Sequence, residues 1–207
     1  QGFDYTHPMY FDTEGDKNRI MWVWELNSKG VPPPGYTSGS FITDYNEMIK
    51  KGWDYPTLSP EDTLKQGYSF SHGTFVSGIA TGSGAPYTKS SKYSRIAPCA
   101  DIALVALDFV SNEASESQII DAVNLIFQTA EFQNKPAVIN CSFGRVLGSH
   151  DGNSLYSQAI DALIGPGKIV VHAAGNNGNR NLHKSKTFTA QDSVMNSIIF
   201  VQKSLGN

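Results

Sequence analysis

The sequence predicts an α/β fold: a mainly parallel sheet with helices on both faces. Three observations carry this. Residues 101–109 (DIALVALDF), 137–142 (AVINCS) and 168–173 (KIVVHA) are short apolar runs suited to strands buried on both faces. The stretches between them carry apolar residues at helical spacing. Parallel strands need long crossovers, and helices supply them on the sheet faces.

Residues 1–70 are the least regular part. Ile20-Met21-Trp22-Val23-Trp24 suits a strand, and Pro32-Pro33-Pro34-Gly35 breaks any regular element. Residues 42–51 predict a helix, with Thr43 or Asp44 near its start and Gly52 just past its end, followed by loop to about Gln66. Residues 72–81 read as a short helix of small residues, and 82–94 as a polar loop. Residues 115–134 form an amphipathic helix: Ile119, Ile120, Val123, Ile126, Phe127 and Ala130 recur on one face. Ser115 or Ser117 is its N-cap candidate, and Pro136 lies just beyond its end. A further helix spans 154–163 and closes on Gly165-Pro166-Gly167. A fourth strand is expected at 198–202.

The 207 residues are enough for one domain with a sizeable core. With 40% hydrophobic and 17% charged residues the composition is that of a globular chain, not a disordered one. A formal net charge of −3, with no basic stretch, argues against a nucleic-acid partner. No apolar run is long enough to cross a bilayer, so no membrane partner is expected. Cys99 and Cys141 both sit in apolar settings and are expected to be buried free thiols, neither having a partner at ligand spacing.

Sites in such sheets form at the carboxyl ends of strands, and three segments draw attention. His72 opens the helix His72-Gly73-Thr74-Phe75-Val76-Ser77-Gly78. The positive end of a helix favours the neutral imidazole that a general base needs. Read alone, a structural histidine explains this segment equally well. The strand 137–142 runs into Ser142-Phe143-Gly144, where a backbone edge could pair with a peptide by strand addition; an ordinary strand exit is the simpler reading. The strand 168–173 delivers Ala173-Ala174-Gly175-Asn176. Alanine and glycine leave an open wall, and an asparagine amide can donate to a developing oxyanion, although Asn177-Gly178 is also a turn signal by itself.

Together and in this order, the three segments resemble those of the subtilisin-like serine peptidases. His72 to Gly78 matches the family's His-Gly-Thr-x-Val-x-Gly. Asn140 to Gly144 matches its substrate-binding strand end, with Phe for Leu, and Ala173 to Asn176 is its Ala-Ala-Gly-Asn string. Ile96-Ala97-Pro98-x-Ala100-Asp101 is similar to the family's entry to its next strand. Gly2-Phe3-Asp4-Tyr5-Thr6-His7-Pro8 is similar to the stretch just after the catalytic aspartate. Arg19-Ile20-x-x-x-Trp24 and the long run before His72 resemble a branch with an expanded Asp-to-His segment. The resemblance is strong at 71–80 and 137–179, moderate at 1–10 and 96–108, and weak at 11–70.

By that register the aspartate would immediately precede Gln1, and the serine of the absent Gly-Thr-Ser-Met-Ala motif would follow Asn207. The resemblance thus implies residues 1–207 as a partial peptidase domain, its three-layer fold incomplete at both ends. It implies a serine endopeptidase acting on protein or peptide, with His72 and Asn176 catalytic. Ser142, Phe143 and Gly144 would align the substrate, and Ala173, Ala174 and Gly175 would wall its pocket. The chain alone should be inert. The alternative is a catalytically inactive, peptide-binding pseudopeptidase; a nucleotide-binding domain rests on Gly82-Ser83-Gly84 alone, without the phosphate fingerprint. No cofactor is expected: many subtilases hold calcium near the His-Pro turn through a carboxylate, but Met9 stands at that position. His172 and His183 are read as structural rather than metal-binding. Self-association of a chain with exposed sheet edges is a further expectation. The resemblance also implies a secreted or cell-envelope protein.

Overall fold

The computed structural model describes residues 2–51, 72–84, 96–107, 115–146, 148–180, 185–191 and 194–196. The predicted strand at 198–202, the loop after Gly52, residues 108–109 and His183 lie outside these. In chain order the elements are a 3-10 turn at Pro8–Tyr10, β1 (Ile20–Glu25), β2 (Ser40–Ile42), α1 (Tyr45–Lys51), α2 (His72–Thr81), β3 (Ile102–Ala106), α3 (Glu116–Phe132), β4 (Ala137–Cys141), α4 (Leu155–Leu163) and β5 (Lys168–His172).

The strands form a three-stranded sheet, β2-β1-β3, and a parallel pair, β4-β5. β1 runs parallel to β3 and antiparallel to β2. An irregularity between Ile20 and Trp22 shifts the β1–β3 register. Its effect is to reset the alternation of a strand. Ile20 and Val23, three apart, both pack with Ile102, Leu104 and Ala106, while Trp22 and Trp24 turn to the opposite face.

Each face of this sheet is covered. On one side Phe3, Tyr5, Tyr10, Ile42 and Met48 of α1 close over Ile20 and Val23. On the other, Ile119, Ala122 and Leu125 of α3 pack with Trp22, Trp24 and Leu107. The same helix turns Val123 and Phe127 toward Ile139, Cys141 and Ile160, so α3 seats on both sheets. It begins in a capping box: Ser115 Oγ accepts from Gln118 N at 3.2 Å, and Gln118 Oε1 accepts from Ser115 N at 3.0 Å. Ser154 likewise caps α4, its hydroxyl accepting from Ser157 N at 3.1 Å.

Three expectations need correction. Residues 40–42 form an antiparallel strand rather than the start of a helix, because Phe41 and Ile42 pair with Trp24 and Val23. Helix α1 starts three residues later, where Asp44 Oδ1 accepts from Asn46 N at 2.7 Å. β4 and β5 are not buried on both faces: Ile139 and Cys141 are covered by helices, but Val138, Ile169 and Val171 on the other face are 68%, 51% and 48% exposed. Nothing among the described residues packs over that face. Finally, both cysteines are free, but only Cys141 is buried; Cys99 is exposed, in a turn ahead of β3.

Candidate active site

His72 is the first residue of α2 and is exposed. The helix is docked at that end on the chain's first residues. Thr74 N donates to Gly2 O at 3.3 Å, and Asp4 N donates to Thr74 Oγ1 at 2.8 Å. The two backbones touch only because residue 73 is glycine. A Cβ built there would fall 2.6 Å from Gly2 O and 3.0 Å from the Phe3 ring. One turn on, the Tyr10 hydroxyl and Ser77 Oγ are hydrogen-bonded at 2.7 Å, and Ser77 Oγ also donates to Gly73 O at 2.7 Å. Tyr10 is fully buried, and burial raises its phenol above the ordinary range, partly offset by the Ser77 bond. The small residues read from the sequence thus serve close packing against residues 2–10.

Ser142–Gly144 and Ala173–Gly175 leave the sheet side by side. β4 and β5 pair in parallel from Ala137 with Lys168 to Cys141 with His172. One further ladder bond, Ala173 N to Cys141 O at 3.0 Å, carries the pairing past the strand ends. Both segments therefore emerge at carboxyl ends, as expected. Ala173, Ala174, Gly175, Asn176 and Gly144 are exposed, while Ser142 and Phe143 are half-buried. Gly175 takes φ +88°, the left-handed region where glycine carries no Cβ penalty. Asn140 Nδ2 donates to Ser142 Oγ at 2.9 Å.

A ring cluster that no sequence pattern indicates joins these two exits. The His172 ring meets Phe143 edge-on at 6.2 Å and Tyr156 of α4 at 6.0 Å. Tyr156 OH and His172 Nε2 lie 3.3 Å apart. Burial raises the Tyr156 phenol to about 12, the Cys141 thiol to about 11, and lowers the His172 imidazole from its ordinary value. Through these contacts His172 bridges the exit of β4 and α4. No feature of the sequence linked Tyr156 to it, because the contact depends on how α4 crosses the strand pair.

Seven of the eight predicted site residues lie at the β4 and β5 exits. The eighth, His72, sits on a separate element, against residues 2–4. Among the described residues no group of three His, Cys, Asp or Glu side chains could share a metal ion. Met9, at the position where the resemblance places a calcium-holding carboxylate, packs toward Gly78. No helix among them is long and apolar enough to cross a membrane.

The subtilase family model (Peptidase S8) matches residues 1–202, and the chain belongs to this family. Among solved structures it is similar to the CspB protease of Clostridium perfringens, with a TM-score of 0.61 and 26% identity. That match covers 86% of this chain and 34% of the other, so the chain spans about a third of the protease it resembles.

Proposed function

We propose that this chain is part of a subtilisin-like serine endopeptidase whose aspartate and nucleophilic serine lie outside the 207 residues. The observation that carries the reading is the parallel pairing of β4 with β5, continued by the Ala173–Cys141 bond. It brings residues 142–144 beside the exposed segment 173–175 at the carboxyl ends of the strands. In this mechanism the serine oxygen bonds to the scissile carbonyl carbon while His72 takes its proton. The carbonyl oxygen becomes an oxyanion, to which Asn176 Nδ2 donates. His72 then gives the proton to the departing amine, the C–N bond breaks, and water repeats the cycle to free the acyl group. The aspartate orients the imidazole throughout. Export from the cytoplasm belongs to this reading.

The pseudopeptidase reading predicts the same cleft without turnover. A fluorophosphonate probe on the full-length protein decides between them. The expected result is one labelled serine, mapped by mass spectrometry beyond Asn207, with labelling lost in His72→Ala and absent in the 207-residue chain. A folded, fully processed protein that does not label would establish the pseudopeptidase instead.

A further inference from the structure

Arg19 is a buried cation that feels the charges of Asp12 and Asp101 but is not within ion-pair distance of either. Its side chain is 8% exposed, and among the described residues it forms no ion pair. Four backbone carbonyls take its place. Nε donates to Phe11 O at 2.9 Å, Nη1 to Ala100 O at 3.0 Å, and Nη2 to both Met9 O at 2.8 Å and Thr81 O at 2.6 Å. These carbonyls come from three segments: the 3-10 turn with the residue that caps it, the last residue of α2, and the entry to β3. A planar fork with several fixed donors can satisfy such a set; a point-like ammonium cannot. Thr81 O is at the C-terminal end of α2, where the helix dipole favours a cation.

The other end of that helix carries His72. The 8–11 segment that Arg19 grips continues directly from residues 2–4, on which the first turn of α2 docks. His7 N donates to Asp4 O at 3.1 Å and Tyr10 N to His7 O at 3.1 Å, so the segment is internally braced. A ten-residue helix is a rod of about 15 Å, and a shift at one end moves the other. Resting on the peptidase reading, we propose that Arg19 is a positioning residue for His72: by tying Thr81 O to Met9, Phe11 and Ala100, it sets where α2 presents its imidazole.

The test uses Arg19→Lys and Arg19→Gln in the full-length protein, each assayed well below its own melting temperature, with fold checked by circular dichroism. The expected result is a kcat lower by on the order of 10- to 100-fold, with KM within about twofold, since only transition-state geometry is lost. Lysine keeps the charge, so failure of Lys to restore kcat separates the fork from the cation. Both folded variants retaining wild-type kcat would overturn the proposal. Should the wild-type protein not react with the fluorophosphonate, the peptidase reading falls, and Arg19 is judged by NMR alone. Positioning requires that Arg19→Lys shifts the His72 ring resonances and speeds exchange at the Thr74 amide. Changes confined to Met9, Thr81 and Ala100 would overturn it.

Discussion

The two sheets among the described residues are built from similar strands and end up in opposite environments. β1 and β3 lie between helix α3 on one side and residues 3–10 with α1 on the other, so both faces are buried. β4 and β5 have α3 and α4 on one face and expose Val138, Ile169 and Val171 on the other. Apolar composition alone does not distinguish them. The difference teaches that a continuous apolar run reports the capacity of a strand to be covered twice, whereas the covering depends on which other segments are present to pack. It also separates stability from chemistry. The deeply buried sheet fixes α2 and its histidine through residues 2–10, and the half-covered pair carries the two strand exits.

The comparison is sharpest in the cost of truncation. Trp24 is 1% exposed, meets Tyr36 in a tilted ring contact at 4.9 Å between centres, and donates from Nε1 to Ser38 O at 3.1 Å. Trp24→Ala is expected to cost about 3–5 kcal/mol, and Val171→Thr on the bare face less than about 0.5 kcal/mol. Urea unfolding measures both. A cost for Val171→Thr approaching that of Trp24→Ala would mean that the β4-β5 face is covered in solution, and the contrast would break.

A smaller difference is expected between two glycines of the site. Gly73→Ala places a methyl group 2.6 Å from a backbone oxygen, so α2 or residues 2–3 must move, at about 1–3 kcal/mol. Gly144→Ala meets nothing within 4 Å and should leave the melting temperature unchanged. Equal effects would show that the docking of α2 on Gly2 is looser than its hydrogen bonds indicate.

The smallest effect concerns pH. Burial disfavours the charged form of His172 in the folded state, so the unfolded chain takes up this proton first. Its contribution to stability is intact above the ordinary histidine pKa of about 6.5 and is lost as pH falls from there through the depressed folded value. His172→Gln removes the titration. Melting temperatures followed from pH 8 to 5 should therefore fall less steeply in the variant. Parallel curves would place the ring cluster in a more solvated setting than Tyr156 and Phe143 provide.

Much of this architecture could be read from residue patterns. α2 begins and ends where the small-residue run does, and α3 starts at the serine expected to cap it, because caps and helical periodicity are local signals. β2 could not be read, since its strand character depends on pairing with Trp24 and Val23, which are distant in sequence. The site segments were legible as strings, and their adjacency followed from parallel pairing. The Arg19 hub and the His172–Tyr156 contact were not legible. A lone arginine before an apolar run gives no sign that four carbonyls will converge on it, and a helix pattern does not say over which strand its tyrosine will lie.

The register of β1 with β3 carries a consequence for the entropy of the chain. Ile20 pairs with Ile102, whereas Ala137 pairs with Lys168. The first pairing closes more than twice as long a loop, and closure cost grows only with the logarithm of length, by about 0.6 kcal/mol per doubling. That increment is small beside the area removed from water at Trp22, Val23 and Trp24. The longer of the two parallel closures is thus secured at the sheet with two covered faces, and the short β4-α4-β5 excursion, which gives up less freedom on closing, can leave one face bare.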